Sequence, residues 1–166
     1  MMRVSVLILV VILFTSCGYK PTSIYTKEIL GDKIYAEVEI SLEDPENSVL
    51  IKDALNEAIV SQFRSRIVSK NEADSKFYIN LNSVSFVPIQ YDKNGYVVAY
   101  KTHVGIKTHY IDKKNRAYDI YTKGNYDFPI ESSSIISDTK RFEAIKFASQ
   151  KALDAVRSQI SIRGLK

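Results

Sequence analysis

The chain has 166 residues, a net charge of +4 and a single cysteine. That length supports one domain of ordinary size, and a lone cysteine excludes an intramolecular disulfide. The basic excess is small: it suits contact with anionic lipid but points to no nucleic-acid partner.

The N-terminus reads as a lipoprotein signal. Arg3 supplies a positive start, Val4 to Phe14 an apolar run of 11 residues, and Thr15-Ser16 the small residues that a signal peptidase needs beside the scissile bond. Such a run is too short for a permanent membrane-spanning helix, which takes roughly 20 apolar residues. Residues 1–16 are therefore expected to be removed, leaving Cys17 as the new N-terminus and the site of lipidation. Several acyl chains, each buried methylene worth about 0.8 kcal/mol, would hold the protein on a membrane. Residues 17–32 follow as a tether with no sustained period, and residues 33–166 as the folded domain.

Lys33 to Glu43 alternates, with Ile34, Ala36, Val38, Ile40 and Leu42 on one side and polar residues on the other, the pattern of a half-buried strand. Asp44-Pro45 then starts a helix as cap and first residue, and Ile51, Leu55, Ile59, Phe63 and Ile67 recur every four residues, predicting a helix from about Pro45 to Val68. A second strand begins at Phe77. Its apolar parity changes near Asn82-Ser83, which predicts a β-bulge that keeps Val84 and Phe86 facing the core. Asp92-Lys93-Asn94-Gly95 reads as a hairpin turn with two positive φ angles at Asn-Gly. A third strand from Tyr96 to Ile111, a polar turn, and a fourth strand from Ala117 to Phe128 complete the sheet.

Ser137 or Asp138 can cap a last helix whose stripe, Phe142, Ile145, Ala148, Ala152, Leu153, Val156 and Ile160, faces inward before Gly164. The expected fold is α+β: a single β-α-β-β-β-α domain, its four-stranded, mostly antiparallel sheet carrying both helices on one face. Phe147 lies nearly opposite the stripe and is expected outside the core, where an aromatic can anchor a partner.

The other sheet face is then uncovered. Lys101, His103, Lys107 and His109 share it with Tyr78, Asn80 and Asn82 of the second strand and Asp119, Tyr121, Lys123 and Asn125 of the fourth. It is either an ordinary solvated face or a docking surface, since tyrosines beside lysines offer apolar area together with phosphate-seeking charge. Lys93, Lys101, Lys107 and Lys123 are the basic candidates for such contact. Catalysis finds no support: the histidines stand about 20 Å apart along one strand, too far to share a metal. No nucleophile elbow, zinc motif or phosphate loop is present. Neither an enzyme nor a cofactor is expected.

Cys17-Gly18-Tyr19 with Pro21, the Asp44-Pro45-Glu46-Asn47 helix start, Glu72-Ala73-Asp74 before the second strand, and Tyr91-Asp92 with Gly95 in the hairpin occur in an order that resembles the lipopolysaccharide-assembly lipoproteins, the LptE family. The resemblance implies a small lipid-anchored protein of the outer membrane, a location to which Gly18 in place of Asp after the cysteine also points. It implies a partner, the large β-barrel translocon LptD, which the protein plugs and helps to assemble, and contact with lipopolysaccharide on its way to the outer leaflet. Two other roles share the anchor: an auxiliary lipoprotein of a lipid-transporting ABC system, and a lipoprotein activator of a cell-wall synthase.

Overall fold

The computed structural model describes residues 27–39, 65–130 and 135–163, together with helical positions 45, 49, 52, 53, 56 and 57. Cys17, the signal segment and the apolar positions Ile51, Leu55, Ile59 and Phe63 lie outside the described residues.

Strand β1 spans Lys33–Glu39 and alternates as expected. Ile34 and Val38 are buried and Ala36 packs on the core, while Glu37 and Glu39 stay outside. Residues 27–32, the end of the expected tether, take part in the fold. They make a helical turn that places Leu30, at 0% exposure, in the core. Gly31 leaves that turn with φ of +80°, and a Cβ there would meet the Asp74 side chain at 2.6 Å. The Asp74 carboxylate accepts the amides of Asp32 at 3.0 Å and Lys33 at 2.9 Å, and the Ser75 hydroxyl donates to the Leu30 carbonyl at 2.6 Å. The Glu72-Ala73-Asp74 segment thus ends in a clamp on the start of β1.

The sequence assigned Ile67 to the helix stripe, and here the structure differs. Arg66–Ile67 is a short strand, β2, parallel to β1, and Ile67 is 42% exposed. The amide of Arg66 donates to the Asp32 carbonyl at 2.9 Å and that of Val68 to Ile34 at 3.0 Å, so pairing with β1 wins over a spacing that happens to continue the helical period. The sheet therefore has five strands.

Strands β3 (Ser75–Tyr91), β4 (Val97–Ile111) and β5 (Ala117–Pro129) form an antiparallel meander. The order across the sheet is β2-β1-β3-β4-β5, with β1 parallel to both its neighbours. The expected bulge is present: the β3–β4 register shifts between Leu81 and Ser83, and Val84 and Phe86 pack on the core. The first hairpin turn differs from its expected form. Gly95 alone takes a positive φ, +85°, while Asn94 does not, and the second turn repeats the arrangement with Asn115 at +59°. Each turn opens with an aspartate whose carboxylate accepts two amides, Asn94 and Tyr96 on Asp92, and Lys114 and Arg116 on Asp112. This is a three-residue loop in which one left-handed residue suffices.

The last helix, Asp138–Arg163, lies across β5 and β4, its first turn capped by Ser137 Oγ, which accepts the Lys140 amide at 3.4 Å. Ile145, Ala148, Ala152, Leu153, Val156 and Ile160 are buried as expected. Phe142 is not: it is 45% exposed, and it is Arg141 of the same turn that lies over the Phe86 ring of β3, 5.4 Å from its centroid. Along the helix, Ala148 and Ala152 ride directly on Gly124 of β5, where any Cβ would collide with the Ala148 carbonyl oxygen. The two helices are neighbours, joined by an ion pair of 3.0 Å between Lys146 Nζ and Glu57 Oε2.

Candidate functional site on the open sheet face

The β4–β5 register pairs Lys101 with Asp127, His103 with Asn125, Gly105 with Lys123, Lys107 with Tyr121 and His109 with Asp119. All these side chains are on the face away from the last helix, because their neighbours in each strand, from Thr102 to Tyr110 and from Ile120 to Phe128, are those that turn toward it. On β3 the row continues with Tyr78 opposite His109 and Asn80 opposite Lys107, and β1 adds Glu37 and Glu39.

Three of the sequence-derived candidates, Lys101, Lys107 and Lys123, thus share one face, and the other two lie elsewhere. Lys101 is tied to Asp127 at 3.5 Å. Among the described residues Lys107 and Lys123 form no ion pair; Lys107 sits over the Tyr121 ring at 5.7 Å. Across the register they are diagonal neighbours, roughly 7–8 Å apart. Lys93 stands in the β3–β4 turn, at the end of the sheet. Phe147 is on the opposite, helical side, 36% exposed and tilted against Tyr126 with ring centroids 4.9 Å apart.

At the β1 side of this face a shallow depression of about 320 Å³ is lined by Glu39, Tyr78, Asn80, Lys107, His109 and Asp119. Its walls are fixed by cross-strand bonds: Asn80 Nδ2 donates to Glu39 Oε2 at 2.8 Å, and His109 Nδ1 lies 3.0 Å from Asp119 Oδ1. His103 is held the same way by Asn125 at 2.7 Å. Both imidazoles are therefore oriented by their Nδ1 side, leaving Nε2 toward the open face. Lys70 closes the rim, its ammonium 5.3 Å from the Tyr78 ring centroid and 5.9 Å from that of Tyr35. The Tyr78 hydroxyl raises the Lys70 pKa, so this amine stays charged. The sequence reading placed His109, Asp119, Tyr78 and Asn80 on one face without pairing them, and it missed Lys70, which comes from a loop that carries no periodic signal.

The fold is that of a helix-backed sheet whose open face is polar, aromatic and cationic. The model of the LptE family, described as lipopolysaccharide-assembly, matches residues 35–160, and the chain belongs to that family. No curated protein sequence matches it. Among solved structures, a candidate lipoprotein from Caulobacter crescentus is similar with a TM-score of 0.52 and 9% identity, over 87% of this chain and 96% of that one. Weaker likenesses are to lipoprotein B of Nitrosomonas europaea, with a TM-score of 0.46 and 14% identity over 80% of this chain and 83% of that one, and to the rare lipoprotein B of Shewanella oneidensis, at 0.42 and 14% over 80% and 90%. The role of the chain is thus in lipopolysaccharide assembly, in association with the transport machinery, within a family of non-enzymatic lipoproteins. Among the described residues no helix is long and apolar enough to cross a membrane.

Proposed function

We propose that the protein is a Cys17-lipidated component of the outer membrane that sits as a plug in the LptD β-barrel translocon, assists the barrel's assembly and helps deliver lipopolysaccharide to the outer leaflet. The observation that carries this reading is the open sheet face. A barrel lumen is polar, because strands that turn apolar residues to lipid turn polar ones inward. A plug must therefore present a polar surface with a few aromatic contacts, and the face of Tyr78, Lys107, His109, Tyr121 and Lys123 does so. Lys107 and Lys123, with no carboxylate paired to them among the described residues, are suited to the phosphates of lipid A or to acidic groups of the wall. Phe147 and Lys93 offer contacts from the helical side and the hairpin end.

The test is copurification of the full chain with the barrel, together with binding to purified lipopolysaccharide, for the wild type and for Lys101→Glu with Lys107→Glu. Reversal should weaken binding by about tenfold or more and flatten its dependence on salt, with the circular dichroism spectrum unchanged because both residues are on the open side. Unchanged binding to both partners would return this face to ordinary solvation. Mass spectrometry of the mature N-terminus checks the anchor: acyl chains belong on Cys17, and Cys17→Ser should leave the signal uncleaved.

A further inference from the structure

The outer edge of β5 is regular along its whole length. The hydrogen bonds from Asp112 to Arg116 at 3.0 Å and from Ile130 to Val98 at 2.9 Å fix which residues of β5 face β4: those of even number. The odd ones, Ala117, Asp119, Tyr121, Lys123, Asn125 and Asp127, turn their backbone N–H and C=O outward, where none is paired among the described residues. The stretch of β3 beyond Asn80, past its described pairing with β1, is interrupted by Pro88 and by three register shifts, the usual protection of an edge. On β5 the register with β4 runs from Ala117 to Pro129 without a shift, and the only proline is the terminal residue.

Beside this edge the last helix leaves room. A hollow of about 320 Å³ is lined by Tyr126 of β5 and by Phe147, Gln150, Lys151, Asp154 and Arg157 of the helix. The Lys151 ammonium lies 5.7 Å from the Tyr126 ring centroid, while Arg157 is paired with Asp154 at 2.6 Å. The hollow is therefore apolar at Tyr126 and Phe147, with a positive charge at Lys151 that forms no ion pair among the described residues, the Asp154 carboxylate being taken by Arg157.

We infer that the β5 edge binds an extended segment of a partner polypeptide as a sixth strand, with an apolar side chain entering the hollow against Tyr126 and Phe147 and an acidic one meeting Lys151. Main-chain bonds to the odd residues supply the affinity and the hollow supplies the choice of sequence. A second copy of this chain does not fit in a pairing centred on Gly124. The helix rides on Gly124 itself, so two such helices would be separated by little more than the strand spacing of about 4.8 Å, whereas packed helices need roughly 8–10 Å. The inference does not depend on the barrel as partner.

The probe is a synthetic heptapeptide, acetyl-Thr-Leu-Thr-Leu-Thr-Glu-Thr-amide, titrated to millimolar concentration into the isotope-labelled chain. Newly slowed hydrogen exchange is expected at Asp119, Tyr121, Lys123 and Asn125, and not at Ile120, Thr122 or Gly124, which already bond to β4. A peptide with Asp in place of both Leu should bind at least about tenfold more weakly, as should wild-type peptide to Lys123→Pro. The N–H which that substitution removes points outward, so no bond to β4 is lost. Phe147→Asp is the second variant and should weaken binding through the hollow alone. No change at the odd amides overturns the inference. So does their protection without peptide, whether it rises with protein concentration, which assigns the edge to a second copy, or does not, which assigns it to this chain's own residues.

Discussion

On the helical side of β4 and β5, Thr102, Val104, Ile106, Thr108, Ile120, Thr122 and Gly124 are buried, whereas Lys101, His103, Lys107, Tyr121 and Lys123, one residue away in each case, are left outside. One side is governed by volume. Helix backbone and sheet backbone touch at Gly124, and a single methyl group has no place to go. The other side is governed by register: which charge stands opposite which is decided by the two hairpin turns, and the turns are decided by Asp92 and Asp112 with one left-handed residue each. The same strands are thus intolerant of size on one side and, on the other, sensitive only to what they are meant to meet.

Gly124→Val tests the volume rule most severely. It should lower stability by about 3 kcal/mol or more, read by thermal or urea unfolding, since overpacking against a backbone has little room to relax. A smaller effect comes from the register rule. Asp112, with a side chain 1% exposed, accepts the Lys114 amide at 2.8 Å, the Arg116 amide at 2.9 Å and the Arg116 guanidinium at 2.8 Å. Burial alone would raise its pKa, yet these bonds from Arg116 and Lys114 together hold it below the usual carboxylate value. Asp112→Ala should cost about 2 kcal/mol at neutral pH. Because the folded value is lowered, that contribution is complete above the unfolded value of about 3.9 and disappears as pH falls through the folded one. The gap between mutant and wild type should therefore narrow below about pH 4. The smallest effect is expected at Phe147, which is 36% exposed and tilted against Tyr126: Phe147→Ala should cost under about 1 kcal/mol in the isolated chain and yet reduce recovery of the proposed barrel complex. A loss as large as that of Gly124→Val would show that the helix flank belongs to the volume-limited side after all.

Alternation made β1, β4 and β5 readable from sequence, and the parity change at Asn82-Ser83 revealed the bulge, because each depends on one face being buried. The basic candidates on β4 and β5 came out together for the same reason. What stayed hidden was set by distant partners. Ile67 continues a four-residue spacing, and only the carbonyls of Asp32 and Ile34 draw it into a strand. Phe142 fits the helical stripe by angle, but it is Arg141 of the same turn that lies over the Phe86 ring, and Phe142 stays exposed. Leu30 looked like tether because a single helical turn has no period to detect. The cation of Lys70 over Tyr78 likewise needs the loop after β2 to fold back over β3, which no local pattern announces.

The clamp at the start of β1 also has a mechanical side. Any tension running into the fold from the N-terminal side of the chain arrives at Leu30, whose side chain is buried, and then at the amides of Asp32 and Lys33 held by Asp74. β1 lies between two strands that run the same way as itself. A pull along its axis loads the slanted bonds on both flanks at once, in shear, instead of peeling them apart in turn. Load entering from that side is thus met on both flanks of β1, and the hairpin end at Gly95 stays free of it.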